Sequence, residues 1–403
     1  VPTPVTGMEY ATRDETTLYI QGGTPNNGLP VSNQLYALDL TRPSWNTTNP
    51  PWSALSVGSG LQASPITYLQ SMVISKDQQS LSIWDTLGSI STYNITSNTW
   101  SNPASLPPST KKVTKLNAAM DPTSGLIYLP SGFESGAVNV YAVMVYNPAT
   151  RAALSLPMPS DESTLAGLAY FSLVWSTARS SMLLYGGVSV VNFTVSTPSF
   201  FEFLPAAAMW APVKTTGTSP GQVYNHCMVP AQTAYGGTKM IVFGGRYTSG
   251  VDSGSIYILD VKTMVWTQGT AADPSQNRTG MACTVAGDNF VAWGGDYNAS
   301  TSKFTAPIIY NLKSNQWTTQ FSLAPSPSIT SSTGAPSSTS ASAAANGPNG
   351  PSAAAIGGGV VGAIVALVLG IFLFKQQVAT FASSEIQHAA FRQSPAINFD
   401  TEA

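Results

Sequence analysis

The sequence predicts an all-β fold, a propeller of six four-stranded blades, and two observations carry that prediction. An eight-residue phrase returns six times: LDLTRPSW (38–45), YNITSNTW (93–100), YNPATRAA (146–153), FLPAAAMW (203–210), LDVKTMVW (259–266) and YNLKSNQW (310–317). Its final positions are 55, 53, 57, 56 and 51 residues apart, and a period of about 50 residues marks a propeller or another repeat array. The second observation is a glycine pair after a short apolar run: Gly22-Gly23, Gly186-Gly187, Gly244-Gly245 and Gly294-Gly295. From the second glycine to the phrase is 15, 16, 14 and 15 residues.

Each element of the repeat has a physical reading. A first apolar run, such as MACTVAG in the sixth copy, is the first strand of its blade. The runs LYI, MLLY, MIVF and FVAW before the glycines read as buried second strands. The glycine pair ends that strand where the chain turns or meets another backbone, which a Cβ would obstruct. The Asn/Pro/Thr/Ser centre of the phrase is a turn between the third and fourth strands. The aromatic or leucine at its start and the tryptophan at its end are expected to pack between sheets. Two copies are degenerate. Pro130-Ser131 replaces the glycines in the third, and Asp85-Thr86 stands only 7 residues before Tyr93 in the second. Ala153 replaces the tryptophan of the third copy, which makes that blade the expected loose one.

A glycine pair, a spaced Tyr and a Trp at this period resemble the kelch repeat, as in galactose-oxidase-like propellers. The resemblance covers residues 6–321 and implies one four-stranded sheet per repeat. Low charge and the stalk described below also resemble single-pass fungal cell-surface kelch proteins.

Composition narrows the classes of partner. Only 9% of residues are charged and the formal net charge is −2, so there is no basic footprint for nucleic acid. Five sequons, at Asn46, Asn94, Asn192, Asn277 and Asn298, are candidate N-glycosylation sites. All five precede residues 322–353, a Ser/Thr/Pro/Ala-rich stretch that reads as a disordered, O-glycosylated type of stalk. Residues 354–374 then form an uncharged run of 21 residues, about 31 Å as a helix and long enough for one transmembrane span. Gly358 and Gly362 are a small-xxx-small pair suited to a helix dimer. Lys375 and Arg392 place the tail, 375–403, in the cytoplasm and the propeller, 1–321, outside or in a secretory lumen. The start at Val1 is expected for a chain whose signal peptide has been removed, and equally for a fragment.

No catalytic or cofactor site is expected. The chain has two histidines, His226 and His388, and His388 lies in the tail. One propeller histidine cannot supply the two-histidine copper site of galactose oxidase. Zinc-ligand spacing, a sialidase S-x-D-x-G-x-x-W box, a nucleophile elbow and a phosphate loop are all missing from the sequence. Asp14, Glu15, Asp85, Glu134, Asp252 and Asp296 read as mostly solvated turn residues, and His226 as a satisfied core histidine. Cys227 and Cys283 fall on the first strands of neighbouring copies, either as a disulfide or as two small buried residues.

Binding remains. The candidate rim is Arg246-Tyr247 and Asp296-Tyr297, which directly follow glycine pairs and are expected to aim at the central mouth. Glycans at Asn192, Asn277 and Asn298 would crowd that rim and shift contacts to blades one to three or to the opposite face. The expected function is a membrane-anchored propeller that binds protein or glycan. The alternatives are a secretory oxidoreductase or hydrolase on the same scaffold, and a cytoplasm-facing adaptor on an organelle membrane.

Overall fold

The computed structural model describes residues 1–323, except 26–30, 32–33, 57–70, 85–88, 102–103, 106–112, 115–116, 131–132, 135–137, 140–141, 158–164, 166–167, 190–199 and 297–303. It is a six-bladed β-propeller, and each blade is a four-stranded antiparallel core built from one contiguous stretch of chain. From inside outward, blade one is Glu9–Arg13, Thr17–Gln21, Leu35–Asp39 and Trp52–Ala54. Blade five is Cys227–Ala231, Lys239–Phe243, Ile256–Asp260 and Val265–Gln268, and blade six is Ala282–Ala286, Asn289–Trp293, Ile308–Asn311 and Gln316–Thr318. The innermost strands of blades two, three and four are Met72–Ile74, Ala119–Met120 and Ser172–Ser176. Proposed stalk and membrane segments, with Gly358, Gly362, Lys375, His388 and Arg392, lie outside the described residues. No helix among the described residues is long and apolar enough to cross a membrane.

The core is six clusters, one between each pair of neighbouring blades. Leu81 and Tyr93 of blade two meet Ala11 and Tyr19 of blade one. Val291 and Ile309 of blade six close the circle against Leu18 and Leu38. Strands between two neighbours are apolar on both faces, so Asn289–Trp293 and Ala282–Ala286 are buried at every position.

The recurrent phrase is the turn between the third and fourth strands, and its positions have separate jobs. Its first and last residues lie directly opposite each other: Tyr93 and Trp100, Phe203 and Trp210, Leu259 and Trp266, Tyr310 and Trp317. The second residue is Asn or Asp in most copies because its side chain caps the turn. Asn94 Oδ1 accepts from Ser97 N at 2.8 Å, and Asp260 Oδ1 from Thr263 N at 2.9 Å. The sixth residue is left-handed: Asn98, Arg151, Ala208, Met264 and Asn315 have φ of 55°, 58°, 48°, 57° and 58°. Where it is asparagine, the phrase's tyrosine donates to it, Tyr93 to Asn98 and Tyr310 to Asn315.

The first copy departs from this plan. Its sixth residue is Pro43, whose ring fixes φ near −65° and forbids the left-handed turn. The chain runs on, and Trp52, not Trp45, lies opposite Leu38 in the outer strand. The excursion forms Ser44–Asn46, which pairs with Gln320–Ser322 after blade six. Trp45 stacks on Phe321 there, with ring centroids 4.8 Å apart and planes 11° apart. The seam of the ring is thus latched by an accessory strand pair. In blade three, Tyr146 lies opposite Ala153, and Trp84 of blade two meets Tyr146 edge-on at 5.8 Å. A neighbouring tryptophan therefore packs where the phrase lost its own.

Candidate ligand-binding site

The site lies at the end of the propeller where the second strands finish, called here the upper face. Four two-residue segments lead into innermost strands there: Gly7-Met8, Tyr170-Phe171, Asn225-His226 and Gly280-Met281. The first member of each is left-handed, with φ of 63°, 61°, 56° and 64°. Their backbones join head to tail around the mouth. Gly7 N donates to Gly280 O at 2.9 Å, Gly280 N to Asn225 O at 2.9 Å, and Asn225 N to Tyr170 O at 2.8 Å.

The second member of each segment explains the glycine pairs. A Cβ on Gly245 would fall 2.7 Å from His226 Cβ, and one on Gly186 of the preceding blade 2.7 Å from His226 Cε1 and 2.3 Å from Val223 O. Met281 stands in the same relation to Gly295 and Gly244, and Met8 to Gly23 and Gly294. The second glycine also ties the blades together: Gly187 N donates to Val223 O, Gly245 N to Arg278 O and Gly295 N to Val5 O. The glycines are therefore sites of close approach, where each blade receives the next.

His226 fills a slot that holds Met8, Phe171 and Met281 elsewhere. It is 6% exposed and lies edge-on to Tyr185 at 5.6 Å. Neither ring nitrogen has a hydrogen-bonding partner among the described residues. It is a core histidine, but an unsatisfied one. Burial pulls its pKa down to about 3, so the ring is neutral.

Within the ring of lead-in segments opens a central cavity of ≈ 390 Å³. Glu15, which also lines it, reaches from blade one to blade five. There the carboxylate accepts from the backbone amides of Gln232 at 2.5 Å and Thr233 at 3.1 Å. Glu15 is therefore a strut between two blades, not a solvated turn residue.

The structure separates the residues of the candidate rim. Arg246 pairs through both oxygens of Asp252, at 2.6 and 3.0 Å, and lies 3.8 Å from Asp296. Hydrogen bonding to Asp252 holds the guanidinium pKa above its ordinary value. Asp252 is buried, so it too differs from the solvated residue expected. Beside this ion pair stand Tyr224 and Tyr170, ring centroids 6.0 Å apart. Tyr247 turns the other way and packs on the core between blades four and five. Tyr297 lies outside the described residues, as do Asp85 and the side chain of Glu134. Sequence reasoning missed Tyr170, Tyr224 and Asn225, and took Asp252 for a solvated turn residue where it is the buried partner of Arg246. Aligning the copies two residues before each innermost strand would have found Tyr170 and Asn225, since Gly7 and Gly280 stand at the same position.

The sequons are not alike. Asn94 is exposed at its turn, and Asn46 belongs to the latch strand. Asn277 is half-buried and donates through Nδ2 to Asp252 O at 3.1 Å, bracing the loop that aims Asp252 at Arg246. Asn192 and Asn298 lie outside the described residues. Beside Asn277, Arg278 is fully buried, its guanidinium carbon 3.7 Å from the centroid of the Phe304 ring. Burial lowers its pKa to about 9. His226 and Cys227 face opposite ways along their strand, His226 to blade four and Cys227 to blade six. Cys227 and Cys283 are joined across the innermost strands of blades five and six, Cα atoms 6.2 Å apart. Among the described residues no group of three or more His, Cys, Asp or Glu is placed to hold a metal ion.

Residues 172–347 match the family model of the KLHDC2/KLHL20/DRC7 kelch-repeats domain. The solved structure of YjhT shares the fold, with a TM-score of 0.55 and 16% sequence identity over 79% of this chain and 98% of that chain. At that identity the likeness concerns architecture alone. No curated protein matches the chain.

Proposed function

We infer that this chain, a six-bladed kelch-repeat propeller, is a binding module that takes a protein or glycan ligand at the upper face of blades four to six. One observation carries the reading. Arg246 is fixed by a buried bidentate carboxylate next to two half-buried tyrosines, so its orientation is set before any ligand arrives. Preorganised arginine and tyrosine are favoured anchors, because little side-chain entropy remains to be lost on binding. Asn277, spent on bracing Asp252, supports this side of the mouth as the contact surface. The test is binding of the full-length chain to arrayed glycans and to cell-surface proteins, in wild type and Arg246→Ala. A ligand held equally well by both would refute this placement of the site.

The module is proposed to stand outside the cell or in a secretory lumen, anchored by residues 354–374. The low charge of the chain, its Ser/Thr/Pro stretch and the Cys227–Cys283 bond support this orientation. Protease treatment of intact cells tests it. For a cell-surface chain, digestion of the propeller from outside is the expected outcome; for a luminal one, protease on sealed vesicles should remove the tail and spare the propeller, and loss of the propeller there would favour the cytoplasm-facing adaptor.

A further inference from the structure

Tyr170 stands where its backbone suits it least. Its φ is 61°, in the left-handed region that bulky side chains avoid. The equivalent lead-in positions hold Gly7, Asn225 and Gly280, residue types that take this conformation at little cost. The backbone role of Tyr170, a carbonyl accepting from Asn225 N at 2.8 Å, needs no side chain. A bulky residue kept in a disfavoured conformation, where glycine serves elsewhere, points to a use for its ring.

The setting of that ring narrows the use. Tyr170 is half-buried and lines the central cavity, so it borders open space. It leans on Tyr224, ring centroids 6.0 Å and planes 56° apart. Tyr224 lies directly opposite Arg246 in a short antiparallel pair, so the two share one face. Val223 and Tyr247 take the other face and join the core. The charges beside the rings cancel. Arg246 is held by both oxygens of Asp252 and lies 3.8 Å from Asp296. Fully buried Arg278, next to the Thr279–Asp296 bridge, offsets the second carboxylate. The side chains of Arg246 and Asp296 are exposed alike, at 23% and 19%. An anion drawn to the first therefore meets the second, and a cation the reverse. A neighbouring donor and acceptor suit hydroxyl groups, which accept and donate. Aromatic rings suit a face of weakly positive C–H bonds. An uncharged sugar ring carries both on one rigid unit. Resting on the reading of Arg246 as a contact side chain, we propose that Tyr170, Tyr224, Arg246 and Asp296 form a subsite for an uncharged sugar residue, on which Tyr170 stacks.

The test is binding of the full-length chain to an array of neutral oligosaccharides, each printed beside a counterpart carrying a carboxylate or sulfate. Neutral members are expected to bind at least about tenfold more tightly than their acidic counterparts. Tyr170→Phe keeps the ring and should bind within about threefold of wild type. Tyr170→Asn, the residue that Asn225 supplies in the next blade, should lose at least about tenfold in binding. Its thermal midpoint should nevertheless hold or rise, by up to about 2 °C, because the backbone is relieved. Equal or tighter binding of the acidic members, undiminished binding by Tyr170→Asn, or a lowered midpoint in that variant would overturn the proposal. Binding of no glycan, with a protein ligand that requires Arg246, would overturn it and leave the site standing. A neutral glycan indifferent to both Arg246→Ala and Tyr170→Asn would remove the site as well.

Discussion

His226 makes the stability of this propeller depend on pH in a way that can be isolated. In the unfolded chain its imidazole takes up a proton near pH 6.5, and in the folded chain only near pH 3. Between those values the unfolded state binds more protons, so stability falls as pH falls. The contribution is fully present above pH 6.5. Below it, the loss is about 1.4 kcal/mol per pH unit, or about 2.7 kcal/mol by about pH 4.5. His226→Met removes the term and also two buried unpartnered nitrogens, each of which costs about 1–3 kcal/mol. The variant is therefore expected to be the more stable protein near neutrality, by at least about 1 kcal/mol. Its advantage should widen by about 2–3 kcal/mol on acidification to about pH 4.5. Urea unfolding of both proteins across this range measures the difference, in which the other titrating groups largely cancel. A gap that stays constant with pH would refute the reasoning, because it would mean that the imidazole is partnered or titrates normally.

The other predictions concern the scaffold. Ala208→Asn, at an exposed left-handed position that Asn98 and Asn315 occupy in other copies, should raise stability by about 1 kcal/mol in thermal unfolding. Gly186→Ala should cost about 3 kcal/mol or more, because its Cβ meets Val223 O and His226. Gly221→Ala meets nothing within 4 Å and should cost only the backbone term of about 1 kcal/mol, so similar losses for the two would refute the close-approach account. Replacing Cys227 and Cys283 by alanine, which frees a chain separation of 56 residues, should cost about 2–4 kcal/mol in denaturant unfolding.

The blades were legible because their marks are local. Tyr310 and Trp317 sit opposite each other across one turn, so spacing along the chain reports contact in space. Pro43 was legible in principle as well, since a proline at the left-handed position cannot close the turn, yet the pattern LDLTRPSW hides this by keeping a tryptophan in place. The pairing of Trp45 with Phe321 could not be read, because it joins residues from opposite ends of the ring. The same distinction governs the site. Arg246 was found by its place after a glycine pair, whereas its fixing partner Asp252 depends on the course of the intervening loop. The unsatisfied state of His226 depends on Gly186 and Tyr185 in the preceding blade, which nothing in NHCMV announces.

The latch between Ser44–Asn46 and Gln320–Ser322 has a consequence for how the chain folds. Since each blade's four strands come from one stretch of the described chain, every blade is complete once its own stretch is available. During synthesis, blades one to five can pair their strands and begin to pack in order of emergence, with loops of local length to close. Only the seam waits for the last strand. Blade one must carry its excursion, with Trp45 awaiting Phe321, until nearly the whole ring exists. The slow step predicted for this propeller is therefore the meeting of first and last blades, and the exposed tryptophan of the waiting strand is where a partly made ring would be open to concentration-dependent pairing with the wrong chain.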